Sequence, residues 1–251
     1  MEINYEKRLV AFVDILGWTR AMESHSAAFL YEVLEPLRNR GEVHNEGVRQ
    51  KLIAKFGGKV NPQFLNVQYS FFSDCFIYSM PTSMGSRIYG SVARIVQLLL
   101  NHGFVARGGI ASGDMFHRDQ IAFGPALLAA YRIESYEAKF ARVMIASSAI
   151  EETGIDEHDA VMRDHLGNWI VDPFPWMASA DDMRNLLEQL FDPRSVIKIV
   201  SQNISDFSGN SRQQDIWRFQ AEVCALSLEK YGEVANDWVL ELRNAARISA
   251  P

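Results

Sequence analysis

Two hydrophobic runs, each carrying one acid, constrain this chain more than any other feature. The first is Leu9-Val10-Ala11-Phe12-Val13-Asp14, followed at once by Ile15-Leu16-Gly17. The second is Tyr69-Ser70-Phe71-Phe72-Ser73-Asp74-Cys75-Phe76-Ile77-Tyr78. Such runs read as buried strands, and a carboxylate inside one is costly unless a cation or a donor compensates it. Two neighbouring strands of this kind would present Asp14 and Asp74 to one divalent-metal site. Hard cations such as Mg2+ take oxygen ligands and usually bind through one or two carboxylates plus substrate phosphates. The pair points to chemistry on a nucleoside triphosphate.

The rest of the chain supplies a scaffold for such strands. Residues 8–14 read as a first strand, and a helical pattern follows from about Ala21 to Arg40. Residues 41–63 are polar and bear Gly41, Gly47, Gly57, Gly58 and Asn61-Pro62, which suggests a loop or flap. About 66–80 is one long strand or a hairpin turning near Ser73. Ser86–His102 places Ile88, Val92, Ile95, Val96 and Leu99 at helical spacing. Gly103–Ser112 is a further strand, in which Gly108-Gly109 allows close backbone approach. Gly124-Pro125 opens a small-residue helix to Ala138, with proline suited to a first turn. Residues 142–148 form a fourth strand and Gly167–Pro175 a short edge strand. From Asp181 onward the pattern is helical, over 181–207 and 211–247. This order predicts an α+β sandwich with helices covering a mainly antiparallel sheet, and a C-terminal helical appendage.

Composition narrows the function. The chain has 251 residues, of which 48 % are hydrophobic, enough for one large domain or a domain with an appendage. Its formal net charge of −6 and the lack of a basic run argue against a grip on nucleic acid through many phosphates. Cys75 and Cys224 have no CxxC partner or zinc-like histidine spacing. No stretch approaches the roughly 18 apolar residues of a membrane span, and no charged-then-apolar leader opens the chain. A cytoplasmic, reduced protein is expected.

Four blocks carry a family resemblance: Phe12-Val13-Asp14-Ile15-Leu16-Gly17, Phe72-Ser73-Asp74-Cys75, Arg107-Gly108-Gly109-Ile110-Ala111-Ser112-Gly113, and Gly124 through Ser135. In their order and spacing the chain resembles the class III nucleotidyl cyclases, and within them the bacterial pyrimidine cyclases of the Pycsar anti-phage systems. The resemblance covers about residues 8–150. It implies a ferredoxin-like catalytic domain over residues 1–175, and leaves 176–251 as a helical extension for packing or dimerisation. It implies two divalent ions per site, Mg2+ or Mn2+, on Asp14 and Asp74 with the carbonyl of Ile15. Arg132 matches the family's transition-state arginine, a role suited to a fixed, permanently charged fork. The asparagine that the family places four residues earlier is Leu128 here. Arg107 matches the arginine opening the family's Arg-x-Gly-Ile strand, where it would touch phosphate or brace the sheet. The family builds its sites between two subunits, so a symmetric homodimer with composite sites is implied.

The positions that read a purine in this family are altered. A lysine four residues before the second metal acid is Ser70 here, and a polar residue three before the glycine is Ile121. A site built for hydrogen bonds rejects a base that lacks them, so these losses argue against adenine and guanine. Tyr69, Phe71 and Phe123 supply bulk beside a smaller base. The resemblance thus implies a cyclase acting on UTP, with CTP second, whose cyclic product gates a separate effector protein. A degenerate domain that binds nucleotide as a regulator is the alternative, supported by Leu128. A palm-like nucleotidyltransferase acting on nucleic acid is disfavoured by the acidic charge. Lys55 and Lys59 flank Gly57-Gly58 without a complete phosphate-loop motif. Asp114 reads as a turn residue, and His102, His117, His158 and His165 as surface or capping residues.

Overall fold

The computed structural model describes residues 3–37, 50, 54, 66–118, 120–156, 160–175 and 193–247. The flap expected over 41–63, with Lys55, Gly57-Gly58 and Lys59, lies outside these residues apart from two positions, as do His158 and all of 176–192, Trp176 included. The chain forms two compact units. The first takes Met1–Ile88, Arg107–Lys139 and Val143–Ile155; the second takes Tyr89–Ala106, Phe140–Arg142 and Asp156–Pro251.

In the first unit, β1 (Glu6–Leu16) is a central strand with both faces buried, as its unbroken apolar run requires. β2 (Gln68–Phe72) and β3 (Cys75–Pro81) form a hairpin, and β3 lies between β2 and β1. Phe72 pairs with Cys75, so the turn is only Ser73 and Asp74, with Ser73 in the left-handed region at φ 55°. Asp74 therefore sits in the turn and not inside a strand. β1 and β3 run antiparallel, with Val10 opposite Ser79, Phe12 opposite Ile77 and Asp14 opposite Cys75. β4 (Val105–Arg118) follows β1 in the sheet and runs six residues past the predicted end at Ser112. Asp114 is consequently a strand residue, paired with Lys7 at 3.1 Å. β5 (Ile121–Phe123) folds back on β4, and β6 (Val143–Ile145) pairs with it in parallel. The pairs β1–β3, β2–β3 and β4–β5 are antiparallel, so the sheet is mainly antiparallel and the fold is mixed α+β as predicted.

The helices differ from expectation at their breaks. The first helical region divides into α1 (Trp18–Ser24) and a helix α2 over 27–37. His25 is extended between them, and the Ser26 hydroxyl accepts from the Phe29 N–H to start α2. α4, numbered after α3 (Arg87–Asn101), is regular only over Pro125–Arg132; a wider π-type turn, Ile133–Glu137, follows, closed by the Ala138 N–H on the Ile133 carbonyl at 2.8 Å. Val10, Ala111, Met115, Ala126 and Ala130 form the core under α4. α5 (Ser147–Thr153) closes the unit.

The two glycines of the β4 motif are used as the sequence suggests. A Cβ on Gly109 would lie 2.5 Å from the Ala130 carbonyl oxygen and 2.6 Å from Ile133 Cβ. On Gly108 it would lie 2.5 Å from the Phe12 carbonyl oxygen. Gly109 thus lets α4 settle on β4, and Gly108 lets β4 approach β1. Gly109→Ala is expected to lower the thermal midpoint by several degrees, an overpacking cost of about 1–3 kcal/mol, as read by calorimetry. An unchanged midpoint would refute the close approach.

In the second unit, β7 (Val161–Arg163) and β8 (Trp169–Val171) form an antiparallel hairpin. The predicted 211–247 helix is two helices, α7 (Ser211–Glu229) and α8 (Asn236–Arg247), and α6 (Pro193–Asp206) precedes them. Buried charges here are paired: Arg142 with Asp164, and Lys230 with Asp172. The Tyr231 hydroxyl donates to the Pro175 carbonyl at 2.7 Å. Among the described residues no helix is long and apolar enough to cross a membrane.

Candidate active site

Strand register brings the two acids of the opening motifs to one end of the sheet. Asp14 lies two residues from the end of β1, and its pairing with Cys75 sets it beside the Ser73-Asp74 turn. The Ile15 N–H donates to the Asp74 carbonyl at 2.8 Å, tying that turn to β1. Arg107, near the start of β4, reaches across: its Nη2 lies 3.1 Å from Asp14 Oδ2 and 2.5 Å from Glu134 Oε1. Its Nε donates to the same Glu134 oxygen at 2.6 Å, and the Ser135 hydroxyl donates to the other at 2.8 Å.

Arg107 pairs with Asp14 and Glu134, and Asp74 lies near enough to act on the Asp14 carboxyl, so three carboxylates crowd about this end of the sheet. The effect falls on Asp14. Burial pushes its carboxyl up to about 6; Arg107 opposes the rise, and Glu134 and Asp74 add to it. Burial, then the same three carboxylates, also raises the Cys75 thiol, which makes it a poor nucleophile. Crowded oxygen donors with unmet negative charge suit a hard divalent cation. Among the described residues no three His, Cys, Asp or Glu side chains are grouped so as to hold a metal ion.

The other expected residues divide by face. Directly paired residues share a sheet face, so Ser70, Ile77, Phe12 and Asp14 lie on one side. Tyr69 is on the other side, stacked on Phe76 at 5.8 Å, with a buried hydroxyl that has no hydrogen-bond partner among the described residues and is pushed up by burial. Ile121 and Phe123 are 61 % and 44 % exposed and emerge opposite Ala122 and His117 on the β4–β5 ribbon, so they are not brought together with Ser70. Arg132 is exposed at the end of α4, and Glu134 pairs with Arg107 instead of with it. Leu128 is 47 % exposed on the same helix. Tyr131, next to Arg132, meets Phe12 edge-on at 5.4 Å.

Sequence reasoning missed four participants. Glu134, just past the regular part of α4, is buried against Arg107. His117 is buried as well, because β4 runs past Ser112, and it is bonded to Ser70 and Ser79. Arg8 and Ser79 complete that cluster, and Ser79 interrupts an apolar strand run, the signal that singles out Asp14.

No family model matches this sequence, and no curated protein sequence does. Solved structures that align with it include adenylyl and guanylyl cyclases. A bacterial light-regulated adenylyl cyclase aligns at TM-score 0.45 and 15 % identity, over 78 % of this chain and 59 % of that one. The chain therefore spans less than two thirds of that protein's length. The monomeric guanylyl cyclase domain of the RhoGC fusion protein from the aquatic fungus Blastocladiella emersonii aligns at 0.44 and 16 %, over 67 % of this chain and 95 % of that domain. The adenylyl cyclase CyaB from P. aeruginosa aligns at 0.39 and 19 %, over 72 % and 99 %.

Proposed function

We propose that this chain is a nucleotidyl cyclase that converts a pyrimidine nucleoside triphosphate, UTP before CTP, to the 3′,5′-cyclic nucleotide and pyrophosphate. The observation that carries the reading is the acid pair Asp14 and Asp74 at one sheet end, where burial, and after it Glu134 and Asp74, raise the Asp14 carboxyl to about 6. Crowding of this kind costs stability and is relieved by a divalent cation, so it fits a site made to receive one. Asp14, Asp74 and the Ile15 carbonyl would hold Mg2+ or Mn2+, two ions per site. Such ions, when bound, favour the deprotonated 3′-hydroxyl and neutralise the departing pyrophosphate.

The chain's own residues do the rest. Glu134 pins Arg107 against the acids, where its guanidinium is placed to meet phosphate oxygens as well as to brace the sheet. Exposed Arg132 would supply its fixed charge to the site of a second copy, in a homodimer with composite sites. Phe12 and Ile77, both half-buried between Asp14 and Ser70, offer an apolar floor for a base. Ser70 offers a short polar group at its far end, and neither Ser70 nor Ile121 can make the contacts of a lysine and an acid on a purine. In this reading residues 1–175 are catalytic and 176–251 serve packing or dimerisation. The product is a messenger for a separate gated effector in anti-phage defence. A regulator that binds nucleotide without turnover is the second reading, favoured by the apolar Leu128 at an exposed site position.

The test is incubation with Mg2+ or Mn2+ and each of ATP, GTP, CTP and UTP, with products identified by mass. Cyclic UMP, with less cyclic CMP, is expected. A purine cyclic nucleotide would overturn the base assignment, and no product from any of the four would favour the regulator.

A further inference from the structure

The Arg107 guanidinium stands between two carboxylates and treats them unequally. Its Nε and Nη2, the two donors along one edge, lie 2.6 and 2.5 Å from a single oxygen of Glu134, Oε1. Asp14 receives Nη2 alone, at 3.1 Å. A guanidinium that closes on a carboxylate commonly uses both donors of its fork, at about 2.7–2.9 Å. Toward Asp14 that fork is not closed. Glu134 is held at its other oxygen as well, where the Ser135 hydroxyl donates at 2.8 Å. Its backbone is fixed by the Ala138 N–H on the Ile133 carbonyl and by the close seat that Gly109 gives Ile133.

Burial sorts the two acids further. The Glu134 side chain is 6 % exposed and the Asp14 side chain 19 %. A buried carboxylate that loses its cation is strongly penalised, so Glu134 keeps Arg107. Asp14, near the end of β1 and more exposed, is the acid that can exchange a long contact with Arg107 for a divalent cation. With Glu134 neutralised, the guanidinium would be released to turn its whole fork onto Asp14, which lies within reach of Nη2 already. An incoming cation would then have to displace it. Arg107 is thus a competitor for Asp14, and Glu134 restrains it.

We propose that Glu134 is a positioning residue for the metal site: it holds the Arg107 guanidinium so that Arg107 meets Asp14 through one nitrogen without closing on it, which leaves Asp14 open to a divalent cation. This rests on the metal-dependent reading above and deepens it. Glu134 does not ligate the ion, since its two oxygens are engaged by Arg107 and Ser135; it acts through Arg107.

The test is a double-mutant cycle read by Mn2+ affinity, measured by calorimetry on full-length protein without nucleotide. Glu134→Gln keeps the shape of the side chain and removes its charge. It is expected to weaken Mn2+ binding about tenfold more in protein that keeps Arg107 than in Arg107→Gln protein, the difference between a charge-assisted and a neutral hydrogen bond. A Glu134 charge that merely attracted the cation through space would cost the same in both backgrounds. Equal losses in folded variants therefore overturn the proposal. A second measurement uses the parent alone and does not depend on any variant folding. With 15N-labelled arginine, the Arg107 Nε–H is expected to keep its hydrogen-bonded shift and slow exchange when Mg2+ saturates the site. Loss of that protection means that Arg107 leaves Glu134 when the cation arrives, and overturns the proposal. Parent protein that binds no Mn2+ overturns it together with the metal site. Mn2+ binding without any cyclic product sinks the cyclase reading alone, and the cycle still decides the role of Glu134.

Discussion

Asp14→Asn is expected to abolish cyclic-nucleotide formation and, without metal, to make the protein more stable. The two effects have one cause. Burial first, then Glu134 and Asp74, raise the Asp14 carboxyl from its ordinary 3.8 to about 6 against the opposing pull of Arg107. A carboxyl raised on folding binds its proton more tightly in the folded state. Below about pH 4 both states hold the proton and the shift has no effect on stability. Between about pH 4 and 6 stability falls as pH rises, and above 6 the full penalty persists, roughly 3 kcal/mol for a shift of about two units. Asparagine carries no charge to penalise, and Arg107 keeps Glu134 as its partner. At pH 8 without metal the variant should melt several degrees above the parent, and at pH 4 the two should coincide. Millimolar Mn2+ should raise the parent's midpoint and leave the variant's unchanged. Loss of a metal-binding carboxylate should cost about a thousandfold or more in turnover. A variant that melts below its parent at pH 8 would mean that the Arg107 contact outweighs the crowding, and the argument for a cation-shaped site would fall.

Why this site was partly legible in the sequence follows from the same energetics. An acid in an apolar strand is expensive enough to be conspicuous, so Asp14 could be picked out by burial cost alone, and Gly108-Gly109 by the close approach that only glycine permits. The antiparallel hairpin was foreseeable from a short break in an apolar run, although Asp74 turned out to occupy the turn itself. Glu134 was not foreseeable. A π-type turn interrupts α4 after Arg132, and no local residue preference signals that turn, so an acid that looked solvent-facing faces Arg107. His117 escaped for a related reason: the end of β4 was placed at Ser112, before Gly113, yet the strand runs through that glycine to Arg118. Ser79 interrupts an apolar run as Asp14 does, but no motif marks it, while Arg8 follows Glu6 and Lys7 ahead of the apolar run, where a charge is not conspicuous. Long-range pairing between Arg8 and Ser79, 71 residues apart, is fixed by strand register, which no local pattern encodes.

Mixing Asp14→Ala with Arg132→Ala protein is expected to restore about a quarter of parental activity, although each variant alone is inactive. In a symmetric dimer with composite sites, random exchange at equal concentration puts half of all subunits into mixed dimers. Each mixed dimer keeps one intact site of two, which gives the quarter. Two features of this chain support placing Arg132 in the other copy's site. Its side chain is exposed at the end of α4, while the acids are served within the chain by Arg107. Around it Leu128, Tyr131 and Tyr136 are 47 %, 43 % and 69 % exposed, an apolar surround that a second copy would cover. Arg132→Lys should rescue poorly, because an ammonium lacks the planar fork that meets two phosphoryl oxygens. The readout is product formation against mixing ratio, with subunit exchange followed independently by a tagged copy. Exchange without recovered activity would place Arg132 in the same copy's site as Asp14 or remove it from catalysis. An active Arg132→Ala protein would remove it outright.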